Sequence, residues 1–484
     1  MLHTFLTTQL AWGAMSPSMV HQVAVSAITD IETAKAGREL PKLATLAKFK
    51  ERRSLWRGVQ DTLAQESNLP QPCAVNMPYK GDPQRASLLL PHEYFAAMYE
   101  DTRAWATSIL PDPEKLSEIW ESMQNHPAMQ NHPMKQENDW KTKCVPLGLH
   151  GDEVPIVGVS KIWCRSFLVF SWFSILANSA ARGTLDVMIY IWGVFDKFVK
   201  EGTMETFWEV MKWSFECLLQ GKWPHSDWRG IQYAPTSPEG RKAGRDLAGG
   251  YYAALIQIAG DLDYNCKFLG LPRWSAANQC CALCKATKNG ILSWMDNRDT
   301  AAWIGTIGIG TIGTPSACRL FDLPGMSAPC VAMDYMHCMF LGWLQYLYGS
   351  VFYLLVFEIM DGDPLANLQE IWTFTQAHQK RTGCVNKYLQ RLNKLSMFKK
   401  KTGYPKLKGR ACEIKGLDQA MLDVWTKYMQ VTNAVHRRIR LLLDLNCALT
   451  SILDEYSPSN GFMAVPEAIA DEMQGKILSM GRLH

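Results

Sequence analysis

At 484 residues, with 47% hydrophobic and 20% charged side chains, the chain can hold two or three domains and is too apolar for global disorder. A net charge of +4 excludes a strong overall field for nucleic acid. Fourteen Cys are too dilute for a disulfide scaffold and point to a reducing compartment, while 18 Trp fit either an aromatic-rich interior or stacking surfaces for bases.

The opening "MLHTFLTTQLAWGAMSPSMV" lacks a cationic n-region and a continuous apolar run, which reads against a signal peptide. Residues 1–143 read as an irregular, mostly helical region. The duplication "MQNHPAMQNHPM" (123–134) reads as a loop, with His126 and His132 solvated rather than ligating metal. Three basic clusters stand out: "KFKERRSLWR" (48–57), "MFKKKTGYPKLKGR" (397–410) and "HRRIR" (436–440). Clusters of this kind are either solvated faces or the footprint of an anionic partner.

From residue 144 the texture changes. "CVPLGLHGDEVP" (144–155), "KIWCRSFLVFSWFSIL" (161–176) and "LDVMIYIWGVF" (185–195) predict three strands. "TMETFWEVMKWSFECLLQG" (203–221) has apolar residues at helical spacing, with Thr203 as N-cap and Gly221 as terminator. "YYAALIQIAGDLDY" (251–264) then predicts a strand that ends at Gly-Asp. Strands, a helix and a returning strand make an α/β domain with a mixed sheet.

The repeat "IGTIG" (304–308 and 309–313) contains Gly308-x-Gly310-x-x-Gly313, but Pro315 follows and no helix opens there, so it reads as a loop rather than a dinucleotide fingerprint. "CMFLGWLQYLYGSVFYLLVFEIM" (338–360) is long enough to span a bilayer, with Gln345 and Glu358 its strongly polar members. No cluster of Lys or Arg flanks it, so the expected reading is a fully buried helix, and a membrane anchor is the alternative. "GCVNKYLQRLNKLSMFKKK", "EIKGLDQAMLDVWTKYMQ" and "VHRRIRLLLDLNCALTSILDEY" predict helices.

Asp152 and Asp261 each follow a glycine at the end of a predicted strand, where α/β sheets collect ligands. Two converging carboxylates are the minimal holder for Mg²⁺ or Mn²⁺, and a third acid completes a two-metal site for attack on a phosphodiester. Glu413 is the candidate, opening a helix after Lys406, Lys408 and Arg410, which would neutralise nearby phosphates. The competing reading is three ordinary surface acids at turns. "QCCALCKATKNG" supplies Cys281-x-x-Cys284, with Gly290 turning the chain soon after. The pair is either half of a zinc knuckle or two buried thiols.

The ordered set "LHGDEVP", "SFLVFSWFSIL", "AGDLDYNCKFLGLP", "CALC", "MDYMHCMFLG" and "YPKLKGRACEIKGL" resembles the catalytic core of CACTA-type cut-and-paste DNA transposases and their element-derived relatives, over roughly 144–420. The resemblance implies a ribonuclease-H-like mixed sheet flanked by helices. It places a largely helical insertion at about 265–400 and a helical C-terminal region over 421–484. It implies Asp152, Asp261 and Glu413 as a metal-binding DDE triad, one ion activating the attacking water or hydroxyl and the other stabilising the leaving oxygen. Glu153 and Asp418 are neighbouring alternatives, and Asp263 stands in reserve for Asp261. "PCVAMD" is expected as a late core strand from which Asp334 and His337 emerge. His337 would bind a scissile phosphate or join Cys281 and Cys284 on Zn²⁺, completed by Cys280, Cys330 or Cys338. The implied partner is DNA, bound in the nucleus, with a homo-oligomer assembled on it. The alternative is an element-derived protein that keeps zinc and DNA binding without catalysis.

Overall fold

The computed structural model describes residues 15–34, 69–81, 84–156, 164–177, 187–308, 318–388, 392–399, 402–457 and 465–483, with Leu6 and Asn460. The basic cluster at 48–57 and the second half of the IGTIG repeat lie outside these residues. The chain is mixed α/β, about 49% helix with a small mixed sheet. It divides into two compact units, residues 1–258 with 318–326, and residues 259–317 with 327–484. That division falls at the end of a strand, inside the segment the sequence reading treats as one elaborated domain.

The first unit opens with helix α1 (Pro17–Ala34), and Cys73–Met77 (β1) and Gln84–Leu88 (β2) then form an antiparallel hairpin in register Val75↔Ala86. Helices α2 (Pro91–Glu100), α3 (Thr102–Ser108) and α4 (Glu114–Ser122) follow. The hairpin differs from the helical expectation for this region, and its alternating exposed and buried positions explain why no apolar run announced it. The duplication after α4 differs as well. It forms two 3₁₀ turns, Pro127–Met129 and Pro133–Gln136, each capped by a histidine Nδ1 that accepts a backbone N–H, from Ala128 and from Met134. His132 is buried rather than solvated, and that burial lowers its basicity.

The sheet runs in the order β5-β4-β3-β6, with β3 at Cys144–Pro155, β4 at Ser166–Ser174, β5 at Ile189–Phe195 and β6 at Tyr252–Ala259. Antiparallel pairing joins β3 to β4 and β4 to β5, in register Gly151↔Phe170 and Phe170↔Trp192. Residues Cys144–Leu149 are all buried, because β3 is interior to the sheet and covered on both faces, which erases period-2 alternation.

Helix α5 (Thr203–Gln220) lays Phe207 and Trp208 on the Phe170 and Trp192 rings, with centroids 4.5 Å apart for Phe170–Phe207 and 4.9 Å for Trp192–Phe207. Burying each such side chain contributes about 1.5–3 kcal/mol. Gly221 ends the helix in a left-handed conformation, as expected. The start differs from expectation by one position: Gly202 is the N-cap, and the Thr203 hydroxyl instead donates to the Pro78 carbonyl.

In the second unit the apolar run becomes α8 (Met336–Ile359), preceded by two short helices, α6 (Pro238–Lys242) in the first unit and α7 (Leu262–Lys267). Around α8 pack α9 (Pro364–Arg381), α10 (Ala411–Lys415), α11 (Asp418–Tyr428), α12 (Ala434–Glu455) and α13 (Glu467–Leu483). By length and composition α8 could cross a membrane, and half of its apolar window is buried, not all of it. Its buried side presents Leu344, Leu347, Val351, Phe352 and Leu355 to Ile371, Met421, Trp425 and Leu443. The unexpected Gln345 has a structural use: its carbonyl accepts the Leu407 N–H at 2.8 Å and its amide donates to the Gly409 carbonyl at 3.1 Å.

Gly349 lets that extended segment approach, since a Cβ there would lie 2.7 Å from the Lys406 nitrogen and 2.8 Å from its Cα. Both contacts are backbone, so Gly349→Ala is expected to cost about 1–3 kcal/mol of stability. Urea denaturation reads this directly, and an unchanged midpoint would mean that the segment simply moves aside.

Among the described residues two expected elements are absent. "PCVAMD" is not a strand: Ala328–Cys330 form a 3₁₀ turn and Val331 makes an isolated bridge, because Pro329 lacks the N–H a ladder needs. Over 383–401 the described residues form one 3₁₀ turn, Leu395–Met397, instead of a helix. Gly383 takes a left-handed conformation after α9, and Tyr388, Leu392 and Phe398 are buried from irregular chain.

Candidate functional site

Asp152 lies on β3 opposite Val169 of β4, on the same face as Gly148 and His150. That face is padded by phenylalanine: a Cβ at Gly148 would meet the Phe173 ring at 2.2 Å, and one at Gly193 the Phe167 ring at 2.3 Å. Asp152 is half-buried, and one oxygen accepts the Glu153 N–H at 2.8 Å. The alternative acid Glu153 points to the opposite face and accepts the Ser166 hydroxyl at 2.5 Å.

Asp261 stands two residues beyond β6 and caps α7, accepting the Tyr264 N–H at 2.6 Å. The predicted strand therefore stops short of Asp261, and a helix begins where strand was expected to continue to 264. Asp263 is already neutralised by Lys267 at 2.6 Å and Arg273 at 3.1 Å, and the Lys267 ammonium first, then Arg273, holds its carboxyl below the ordinary range.

Glu413 is 5% exposed, in the first turn of α10, where its carboxylate accepts the Arg410 N–H at 2.8 Å. It thereby satisfies one of the orphan donors at the helix start. Asp418, the alternative, is buried too. It accepts the Tyr348 hydroxyl at 2.6 Å and the Thr450 hydroxyl, and burial pushes its carboxyl up to about 6.

The basic segment 404–410 is pinned by its main chain, with Lys406 donating to the Phe398 carbonyl and Lys408 to that of Met397. The Lys406 ammonium lies 4.9 Å from the Tyr346 ring centroid, while Lys408 and Arg410 are exposed. None of the three cations forms an ion pair among the described residues, so they remain available to an anion.

Asp334 and His337 act as a unit at the mouth of α8. Asp334 accepts the His337 N–H at 3.0 Å with one oxygen and holds its Nδ1 with the other. This leaves Nε2 as the ring nitrogen to offer an outside phosphate or metal. Cys281 and Cys284 lie together in a tight turn. The Leu283 N–H points at the Cys281 sulfur at 3.3 Å, and burial pushes the Cys284 thiol up to about 11, with Cys281 beside it adding to the rise.

Among the described residues no three His, Cys, Asp or Glu side chains gather closely enough to hold a metal ion. Cys281 with Cys284 supplies two of the four soft donors a structural zinc site uses. The carboxylates of Asp152 and Asp261 are hard donors of the kind Mg²⁺ takes, with substrate and water oxygens filling other positions.

A cavity of about 1010 Å³ in the first unit is lined by His92, Glu93 and three tryptophans to which no motif pointed. The available signal was faint: "PHEY" opening a helix, and Trp213, Trp223 and Trp228 within sixteen residues. No protein-family model matches the chain, and no curated protein matches it in sequence.

Proposed function

We propose that the chain is a DNA transposase-like protein of the DDE class, built on a ribonuclease-H-like core. The observation that carries the reading is the placement of two acids in the strand order. Three strands in antiparallel sequence are followed by helix α5 and by a strand that returns beside the first. Asp152 sits on that first strand and Asp261 two residues after the returning one. In this reading Asp152, Asp261 and Glu413 are the acids that would hold Mg²⁺, and the ion would supply Lewis-acid chemistry at a phosphodiester. Lys406, Lys408 and Arg410 position phosphates without reading sequence. DNA in the nucleus is the substrate, cut and joined by an oligomer of the chain.

The test is nicking of supercoiled DNA with Mg²⁺ or Mn²⁺. Asp152→Asn and Asp261→Asn should each lower it by roughly two orders of magnitude or more. Nicking that survives both substitutions, or that persists in chelator, sinks the catalytic reading.

A second reading rests on the acids themselves. Glu413 is spent on capping its own helix and Asp418 on Tyr348 and Thr450, so either could be a structural acid in a chain that no longer cuts. Such a protein would retain zinc at Cys281 and Cys284 and bind DNA through the 404–410 segment. Salt-dependent DNA retention and bound zinc lost in Cys284→Ser, with no nicking at any divalent ion, would establish it.

A further inference from the structure

The cavity in the first unit is walled by Leu69–Asn76 on one side, by α2 on another, and by Trp213 of α5 with the chain from Trp223 to α6 on the rest. His92, fully buried, stacks edge-on against Trp213 and Trp223 with ring centroids 4.9 and 6.0 Å away, and its Nδ1 meets the Ser214 hydroxyl at 2.8 Å. Burial holds this imidazole down at about 3, so it is a neutral prop for the indoles.

The charges of the wall are unequally served. Two guanidinium nitrogens of Arg229 donate to Asp227 at 2.7 and 3.0 Å, closing that pair. The Lys242 ammonium lies 4.6 Å from the Trp223 ring centroid, and the Arg229 guanidinium 5.8 Å from that of Trp228. The tryptophans of this wall therefore already present their faces to cations, and Trp213 carries none from the described chain. Of the remaining acids, Glu93, Glu100 and Glu239 outnumber Arg85 and Lys242. Glu93 is the inward one. It sits half-buried in the first turn of α2, and its carboxylate accepts no hydrogen bond and forms no ion pair among the described residues. A shielded carboxylate without a donor is costly unless something supplies the donor.

We propose that this cavity binds an organic cation, an ammonium or guanidinium group, paired with the Glu93 carboxylate and resting on the Trp213 indole. Tryptophan gives the strongest cation–π attraction of the side chains, and desolvation strengthens it. A nearby anion supplies both the counter-charge and the hydrogen-bond acceptor. The site shares no residue with the acids of the DDE reading and stands or falls apart from it.

The experiment is a titration followed by tryptophan fluorescence, using the full chain and four probes: choline, the uncharged tert-butyl isostere of choline, agmatine, and a short amidated peptide containing Lys and Arg. Choline and agmatine should saturate, and the isostere should bind at least about tenfold more weakly. Glu93→Gln, which keeps the shape and loses the charge, should weaken both cations by about tenfold or more. A peptide that binds tighter than either small cation identifies a chain-borne side chain as the source, and weaker peptide binding identifies a free amine. Equal binding of the isostere reduces the site to an apolar cavity and overturns the proposal. So does full affinity in Glu93→Gln, or no saturable response to either cation.

Discussion

Replacing Tyr348 by phenylalanine should cost about 3 kcal/mol of stability near pH 7.5 but only about 1 kcal/mol near pH 4.5. Tyr348 lies wholly buried on α8, and its hydroxyl donates to Asp418 at 2.6 Å while accepting from the Asn446 amide at 3.2 Å. Phenylalanine keeps the shape, so the loss is polar and opens no cavity. Two groups suffer. Asp418 loses a donor inside the core, and the Asn446 amide loses its acceptor while its own carbonyl oxygen already lacks a partner. A hydrogen bond to a charged acceptor contributes about 1.5–3 kcal/mol, against about 1 for a neutral one.

The pH dependence follows from the direction of the Asp418 shift. Its ordinary value of 3.8 rises to about 6 in the folded protein, chiefly by burial, with Thr450 and Tyr348 opposing the rise. The folded protein thus holds a proton that the unfolded chain sheds. This contribution to stability is fully present below about pH 4 and is lost as pH rises through about 6. Removing Tyr348 takes away one of the opposing bonds and raises the carboxyl further. The difference of about 2 kcal/mol between the two pH values corresponds to about 1.5 pH units of additional rise. Urea denaturation at both pH values measures it, and an equal cost at the two would show that Asp418 is not the group the tyrosine serves.

The parts of this fold that sequence reveals are those whose surroundings are uniform along the chain. Strand β3 reads clearly because every position from Cys144 to Leu149 is buried, and α5 because Phe207, Val210, Met211 and Phe215 are all buried at helical spacing. The β1–β2 hairpin stays hidden because exposed Asn76, Arg85 and Ser87 alternate with Val75 and Ala86, leaving no contiguous apolar signal. The basic stretch near 400 reads as a helix from its composition, yet the described residues there form a 3₁₀ turn and irregular chain that bury Phe398 and Leu407 singly. Local chemistry is legible and tertiary chemistry is not. The Asp334–His337 unit and the Cys281–Cys284 turn close within three residues, so spacing announces them. Glu413 shows neither its burial nor its capping role in its own neighbourhood, because Arg410 contributes only a backbone N–H that any residue would offer.

Glu93 is the clearest case of a residue that sequence leaves mute, and it carries the second large effect. Glu93→Gln is expected to stabilise the protein by up to about 3 kcal/mol near pH 8 and to leave stability nearly unchanged near pH 4.5. Burial lifts this carboxyl from 4.5 to about 7, with Lys242 pulling down and Glu239 pushing up. Stability that Glu93 contributes is fully present below about pH 4.5 and is lost as pH rises through about 7, opposite to a salt-bridged acid. Above that range the native state holds an anion with no donor, and glutamine relieves it. An organic cation reverses the ranking: it binds the native carboxylate and not the unfolded chain, so it should stabilise the natural protein more than the variant. Thermal unfolding at pH 8, with and without saturating choline, separates these terms. A variant more stable without choline and overtaken with it requires that Glu93 face the cavity as an unpaired anion. A variant less stable at pH 8 without any ligand would mean that Glu93 already has a partner inside the fold.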